Sequence, residues 1–161
     1  MDFPHIEIYT DGSCHTQLKC GAWASIILFD AEKVVISGQE IDTTHNRMEL
    51  LAVIESIKFA DQKQLKGQLI IYTDSQYVCQ LAERKEKLKL NAFVTNKGVP
   101  LHNTDLLQTL IHQIESHNIS FVKIKAHQRV NTDSSRYNSE VDSLVRQMVR
   151  EMAEKLGIKN F

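Results

Sequence analysis

Apolar and polar residues alternate at the start of the chain. Within His5–Thr10, Ile6 and Ile8 alternate with Glu7 and Tyr9. Successive side chains of a strand face opposite sides, so this period of two predicts a first β-strand. One face of that strand is therefore expected in a core.

Four more strands are predicted along the chain. Two are expected at Ala22–Phe29 and Lys33–Gly38, and the segment Asp30–Lys33 between them is short enough for an antiparallel hairpin. A fourth, Gln68–Thr73, is almost continuously apolar, as a buried strand should be. The fifth is expected at Ser120–Ile124.

Apolar residues at helical spacing lie between these strands. Residues three and four apart share a helix face, and four apolar residues with that spacing predict a helix from about Asn46 to Ala60. Those residues are Leu50, Val53, Ile54 and Ile57. Further helices are predicted at about Ser75–Leu90, at about Thr104–Ser116 and from near Asn138, where an apolar stripe holds Val141, Leu144, Val145, Met148 and Met152; Asn91–Asn103 is expected to be a loop.

The element order predicts an α/β fold, a five-stranded mixed sheet with helices on both faces. The parallel members of such a sheet need crossover helices, which this order provides. The 161 residues fit a single domain over 1–161. In such folds, functional sites form beyond the carboxyl ends of strands. Polar residues at those ends are therefore the candidates for a functional site.

Composition narrows the class of protein without deciding it. The net charge is −1, not the basic surplus usual for nucleic-acid binders, so any phosphate contacts must come from local patches. Three scattered cysteines without a CxxC pair argue against a disulfide framework and against structural zinc, and favour a reducing, cytoplasmic compartment. No apolar run is long enough to predict a membrane span, and no apolar signal segment is seen at the start.

Four acidic residues fall at predicted element ends. Asp11 is expected to end the first strand and Asp74 the fourth, while Glu49 and Asp142 are expected in the first turns of the first long and the last helix. Clustered carboxylates repel one another unless a cation binds, and their hard oxygen atoms suit Mg²⁺ or Mn²⁺. Two such ions can clamp the attacking water and the leaving oxygen of a phosphodiester. From position alone, an acid at a strand end or helix start is more often a helix cap or a solvated charge.

Local motifs favour the metal site. The chain contains Thr10-Asp11-Gly12-Ser13, then Thr44-His45-Asn46-Arg47-Met48-Glu49-Leu50, Thr73-Asp74-Ser75-Gln76-Tyr77-Val78, Lys125-Ala126-His127 and Asn138-Ser139-Glu140-Val141-Asp142. These blocks resemble those of type 1 ribonucleases H, in the same order and on the same elements. The resemblance extends from about Ile6 to Met152, and the first three blocks together are specific.

The resemblance implies a ribonuclease H-like fold and hydrolysis of the RNA strand of an RNA–DNA hybrid, leaving 5′-phosphate and 3′-hydroxyl ends. It implies that two Mg²⁺ ions (Mn²⁺ is possible) are held by Asp11, Glu49, Asp74 and Asp142. It also implies that His127 assists proton movement or product release. The motifs assign no role to His5, His15, His102, His112 and His117.

The resemblance also implies substrate contacts. Backbone groups of Gly12 and Ser13 are expected near the RNA 2′-hydroxyls, the groups that distinguish RNA from DNA. Thr44 is expected at a DNA phosphate. His45, Asn46 and Gln76 are expected in the minor groove, with His45 standing where asparagine is common. A helix cap is the structural alternative for Thr44 and Asn46, and it is compatible with substrate contact.

A basic segment holds Arg84, Lys85, Lys87, Lys89 and Lys97. It lies where many family members carry a basic protrusion that binds the hybrid, and its alternative is a solvated helix face. The polar stretch between His127 and Asp142 is longer than in compact bacterial members and is expected to be mobile.

Two other functions remain open from the sequence. One is a hybrid-binding module with little catalysis, which the presence of all four acids disfavours. The other is a DNA nuclease of the same superfamily, which the motifs expected at the 2′-hydroxyl disfavour. The enzyme is expected to work as a monomer, without a membrane partner.

Overall fold

The computed structural model describes residues 5–125 and 132–158. Its strands are β1 (His5–Cys14), β2 (Gly21–Phe29), β3 (Glu32–Glu40), β4 (Gln68–Thr73) and β5 (Ile119–Lys123). Its helices are α1 (His45–Gln62), α2 (Gln76–Glu83), α3 (Lys85–Leu90), α4 (Thr104–Ser116) and α5 (Asp133–Ile158). Within the described residues, no helix combines the length and the apolar character needed to cross a membrane.

The strands form one mixed sheet in the order β3-β2-β1-β4-β5. β1 pairs antiparallel with β2 and parallel with β4, and β4 pairs parallel with β5. Asp30 and Ala31 join β2 to β3 with positive φ angles of 48° and 61°, the backbone of a two-residue hairpin turn. The predicted α/β fold and the predicted hairpin are therefore confirmed.

Helices cover both faces of the sheet, as predicted. On one face, Ile8, Ile27 and Ile71 pack with α1, α2 and α4, and Leu50, Val53, Ile54, Ile57 and Leu110 are fully or almost fully buried there. On the other face, Tyr9, Ala24 and Ile26 pack against Val141 and Val145 of α5. Because neighbouring residues of β1 face opposite sides, the strand is buried between two helical layers.

The predicted first strand and second helix differ from the structure. β1 runs four residues past Thr10, because Asp11–Cys14 pair with β2 although they lack an apolar alternation. The helix predicted over Ser75–Leu90 is divided at Arg84 into α2 and α3. The loop predicted over Asn91–Asn103 is confirmed, and it contains one isolated bridge, between Val94 and Pro100.

The last helix begins at Asp133, not near Asn138. The Thr132 and Ser135 hydroxyls each accept a hydrogen bond from the other residue's backbone N–H, both at 3.1 Å. This reciprocal pattern stabilises a helix start. The stretch predicted to be mobile is therefore helical from Asp133 onward, and His127 lies outside the described residues.

Candidate active site

Asp11 and Asp74 are brought together by the parallel pairing of β1 with β4. The last parallel pair is Thr10 with Thr73, so each aspartate is the next residue along its chain. Asp74 follows the end of β4, whereas Asp11 lies inside β1 and not at its end as predicted, paired with Ala24 of β2. The two carboxylates therefore meet where β4 stops and β1 continues.

Side-chain hydroxyls hold the turn that carries Asp74. The Ser75 N–H donates to the Thr73 hydroxyl at 3.0 Å, and the Ser75 hydroxyl accepts from the Val78 N–H at 3.2 Å. Ser75 is thus the N-cap of α2, which satisfies a donor at the helix start. The position of Asp74 is consequently fixed from both sides.

Glu49 reaches the two aspartates from α1. It lies in the second turn of that helix, not in the first as predicted, because α1 begins at His45. The approach of α1 to β1 depends on Gly12, where a Cβ would lie 2.4 Å from the Met48 carbonyl carbon and 2.5 Å from the Glu49 nitrogen. Only glycine allows the two backbones to come this close.

The three acids form a compact carboxylate cluster. Asp11, Glu49 and Asp74 each offer an oxygen, and these oxygens all lie within 4.8 Å of one another. Asp11 is 5% exposed and Glu49 is 1% exposed. Such burial strengthens the repulsion between carboxylates, because little water screens them.

Burial and mutual repulsion shift the pKa values of these acids. Burial raises the pKa of the Asp11 carboxyl well above its usual range, and repulsion by Glu49, Asp74 and Asp142 raises it further. Burial also raises the pKa of Glu49, and a hydrogen bond from His45 offsets part of that rise. His45 Nε2 lies 3.3 Å from Glu49 Oε1, and this contact raises the pKa of His45.

One oxygen of the cluster lacks a hydrogen-bond partner among the described residues. Glu49 Oε2 is buried and has no hydrogen bond to any residue that the structure describes. A buried polar atom without a partner is costly unless a ligand or an ion satisfies it. The orphaned oxygen, the oxygen-only donor set and the mutual repulsion all fit a divalent cation, so these three acids can hold one.

Asp142 flanks this cluster on the other face of the sheet. It lies in the third turn of α5, not in the first turns as predicted, because the helix begins earlier. Its carboxylate acts on Asp11 through space, but it does not belong to the group of three. Arg146, one turn further along α5, forms an ion pair with Asp142, with its Nε 3.2 Å from Asp142 Oδ2.

The residues expected at the hybrid surround the cluster. Thr44 is the N-cap of α1, and its hydroxyl accepts from the Arg47 N–H at 3.2 Å. His45 and Asn46 occupy the first turn of α1, and Gln76 begins α2, all three exposed. The cap alternative therefore holds for Thr44 and is wrong for Asn46, which lies inside the helix. Gly12 and Ser13 lie on β1 directly after Asp11.

The cations of the basic segment differ in whether they form ion pairs. Lys89 Nζ lies 2.9 and 3.1 Å from the two carboxylate oxygens of Glu115, and Lys85 Nζ lies 3.9 Å from Glu86. Arg84, in contrast, makes no ion pair with any described residue. It lines a cleft of about 260 Å³ that Asn46 also lines.

Sequence reasoning missed Arg146 and Arg47. Arg146 lies four residues after Asp142, a spacing that brings side chains together on a helix and that was a readable signal. Arg47 joins three elements by pairing with Glu40 of β3 and Asp105 of α4, both at 3.2 Å. The partners of Arg47 are distant in sequence, so no local signal could have found them.

Comparison with known proteins identifies the family of the chain. The sequence profile of the RNase H family matches residues 4–150. A ribonuclease H of Caldicellulosiruptor saccharolyticus is 34% identical over 149 residues, covering 91% of this chain and 97% of the relative. A ribonuclease H of Ehrlichia canis is 37% identical over 145 residues, covering 89% and 94%. The chain therefore belongs to the RNase H family, and its enzyme class is that of a ribonuclease H hydrolase.

Solved structures share the fold. LC9-RNase H1, described as a type 1 RNase H with the type 2 active-site motif, superposes with a TM-score of 0.77 at 18% identity, covering 94% of this chain and 74% of that one. A foamy viral protease-reverse transcriptase in complex with an RNA/DNA hybrid gives a TM-score of 0.74 at 20% identity, covering 89% of this chain and 20% of that one. At these identities the likeness concerns the fold alone.

Proposed function

We propose that this enzyme hydrolyses the RNA strand of RNA–DNA hybrids with two Mg²⁺ ions, Mn²⁺ being a possible substitute. The observation that carries the proposal is the buried cluster of Asp11, Glu49 and Asp74 with its orphaned Glu49 oxygen. The family match over residues 4–150 supports the choice of substrate class.

In this proposal, Asp11, Glu49, Asp74 and Asp142 are the ligands of the two ions. When bound, the ions supply activation of the attacking water and charge stabilisation at the leaving 3′ oxygen. The water oxygen bonds to phosphorus and the P–O3′ bond breaks, which leaves a 5′-phosphate and a 3′-hydroxyl. His45 holds Glu49 Oε1 by its 3.3 Å contact and thereby helps to orient the carboxylate.

Substrate discrimination is assigned to residues around the cluster. Gly12 and Ser13 present backbone groups to the RNA 2′-hydroxyls, and DNA lacks this group. Thr44 keeps a hydroxyl proton for a DNA phosphate, because in the cap its oxygen acts as the acceptor. His45, Asn46 and Gln76 lie at exposed helix starts where they can reach minor-groove edges.

The proposal also covers proton movement, the domain organisation and the cellular compartment. His127 is assigned to proton transfer or product release through its place in the Lys125–His127 block. We also propose a single domain over 1–161 that works as a cytoplasmic monomer. The three free cysteines, Cys14, Cys20 and Cys79, suit a reducing compartment.

A substrate panel tests the proposal. Purified protein is incubated with Mg²⁺ and one of three duplexes of the same sequence: RNA–DNA hybrid, duplex DNA or duplex RNA. We expect cleavage of the hybrid only. Preferred cleavage of duplex DNA would replace the proposal with a DNA nuclease. Binding of the hybrid without cleavage would replace it with a hybrid-binding module.

A further inference from the structure

We propose that a groove beside α5 binds backbone phosphates of the substrate's RNA strand, with Arg150 as its principal cation. This inference rests on the proposed function and adds a subsite to it. The α5 groove has a volume of about 530 Å³. Ser13, His15 and Leu18 line it from β1 and the loop that follows, and Arg146, Val149 and Arg150 line it from α5.

The groove has the chemistry of a site for a sugar–phosphate backbone. Leu18 and Val149 give it apolar surface, while Arg146 and Arg150 are exposed cations one helical turn apart. His15 Nδ1 accepts a hydrogen bond from the Leu18 N–H at 3.1 Å, which leaves its Nε2–H as a donor for a ligand. Arginine donates in a fork that matches phosphate oxygens.

The two arginines differ in whether they form an ion pair. Arg146 is paired with Asp142 at 3.2 Å, so much of its charge is already used. Arg150 makes no ion pair or hydrogen bond with any residue that the structure describes. Glu154 also lines the groove, one turn beyond Arg150, and no ion pair forms between them. Arg150 is therefore the free cation in the groove.

The groove continues from the acid cluster. Ser13 is two residues after Asp11 on β1, so the two side chains share the face of the sheet that α5 covers. Along α5, Asp142, Arg146 and Arg150 follow at intervals of four residues, which places Arg150 roughly 12 Å along the helix axis from Asp142. A strand whose phosphate lies at the acids can therefore reach Arg150 with a neighbouring phosphate.

The position of the groove favours the RNA strand over the DNA strand. Thr44, the residue expected at a DNA phosphate, caps α1, and α5 packs on the opposite face of the sheet. The strand that is cut must itself pass over the acid cluster. A groove that adjoins the cluster from the α5 side is thus expected to hold flanking phosphates of that strand.

The first test is the salt dependence of hybrid binding, measured with Ca²⁺ in place of Mg²⁺ to suppress cleavage. Arg150→Ala should lower the slope of log K against log salt by about 0.9, the value for one lost phosphate contact. Arg150→Lys keeps the charge and should restore most of the slope. Lys155→Ala removes an exposed cation from the same helix about 140° away and should leave the slope unchanged.

The second test identifies the strand. Single phosphates are replaced by neutral methylphosphonates, each with a 2′-deoxy sugar on its 5′ side, in either the RNA or the DNA strand; hybrids with the deoxy sugar alone are the reference. At one position of the RNA strand, we expect the replacement to weaken binding to the wild-type protein about fivefold, as for a lost charge-assisted hydrogen bond. At that same position, the replacement should not weaken binding to Arg150→Ala. Coupling at a DNA-strand position only, or at none, would overturn the proposal.

Steady-state kinetics separate this subsite from the proposed function. Arg150→Ala should raise KM for the hybrid and leave kcat unchanged, because the acid cluster is intact. An unchanged KM and an unchanged salt slope, with wild type still cutting the hybrid, would overturn the subsite alone. A wild type that binds the hybrid but does not cut it would overturn the proposed function and leave the binding tests of the subsite interpretable.

Discussion

Gly12 lies against the backbone of Met48, with space for a hydrogen but not for a Cβ. An added Cβ would lie 2.4 Å from the Met48 carbonyl carbon and 2.7 Å from its oxygen. Both neighbours are backbone atoms of a buried helix turn and cannot move independently of α1. The distance between Asp11 and Glu49 therefore depends on the absence of one methyl group.

We expect Gly12→Ala to destabilise the protein and to inactivate it. Pushing α1 from β1 should cost about 1–3 kcal/mol of unfolding free energy, as for an overpacked core. The displaced Glu49 should lower kcat at least tenfold, or about 1.4 kcal/mol of activation free energy. Denaturant unfolding and hybrid cleavage measure the two effects.

Gly157→Ala is the matched control for that variant. A Cβ at Gly157 meets no atom within 4 Å, so stability and kcat should hold or stability should rise slightly. Wild-type stability and turnover in Gly12→Ala would show that the close approach does not determine the site.

We expect Asp74→Asn to remove cleavage while the fold is kept. The neutral amide is a poorer ligand for a hard cation, so cleavage should fall by at least about 100-fold, or roughly 2.7 kcal/mol. Losing one carboxylate relieves the repulsion that raises the pKa of Asp11, so the metal-free protein should be as stable as wild type or more stable. Cleavage rates and urea unfolding in EDTA check both statements.

Asp30→Asn makes the same chemical change on the exposed hairpin turn, where asparagine tolerates the positive φ. It should cleave at the wild-type rate. Cleavage by Asp74→Asn within about tenfold of wild type would exclude Asp74 as a central ligand.

The sequence predicted the sheet and its helices because apolar periodicity reflects burial on a regular element. It failed where polar residues continue an element, as for Asp11–Cys14 of β1 and for the first turns of α5 before Val141. These residues are held by strand pairing and by capping hydroxyls, which hydrophobic periodicity does not report.

Motifs singled out Asp11, Glu49 and Asp74, and the structure brings these three acids together. The parallel register of β1 with β4 places Asp11 beside Asp74, as neighbouring first and fourth strands would, and Glu49 reaches them from α1. The orphaned Glu49 oxygen depends on distances that no spacing rule gives. The contact of His45 with Glu49 was accessible, because residues four apart meet on a helix.

We expect Arg84 to contribute more to hybrid binding than Lys89. The Lys89 ammonium is already paired with Glu115, whereas Arg84 lines the cleft beside Asn46. In Ca²⁺, Arg84→Ala should flatten the salt slope of binding by about 0.9, and Lys89→Ala should change it much less. Equal slopes for wild type and Arg84→Ala would leave the basic segment as a solvated face.

His117 should make stability depend on pH. Burial by itself lowers the pKa of His117, but hydrogen bonds to Asp61 and to the Gln113 carbonyl raise it overall. Nε2 lies 2.7 Å from Asp61 Oδ1 and Nδ1 lies 2.8 Å from the Gln113 oxygen, so the protonated ring can donate to both acceptors at once.

A group with a raised folded-state pKa stabilises the protein fully below its unfolded pKa, which is about 6.5 for histidine. This contribution disappears as pH rises through the folded-state pKa. Urea unfolding should show wild type losing stability relative to His117→Gln across that window. If the stability difference between wild type and His117→Gln did not change with pH, the His117–Asp61 pair would not be a cause of pH-dependent stability.

The central claim is that the buried acids cut the RNA strand of a hybrid with the help of a divalent cation. The most direct measurement is single-turnover cleavage of a hybrid labelled on both strands, with Mg²⁺ and with EDTA. The account predicts that only the RNA strand is cut, that the products carry 5′-phosphates and 3′-hydroxyls, and that EDTA abolishes cleavage. Cleavage of the DNA strand, or undiminished cleavage of the RNA strand in EDTA, would contradict it.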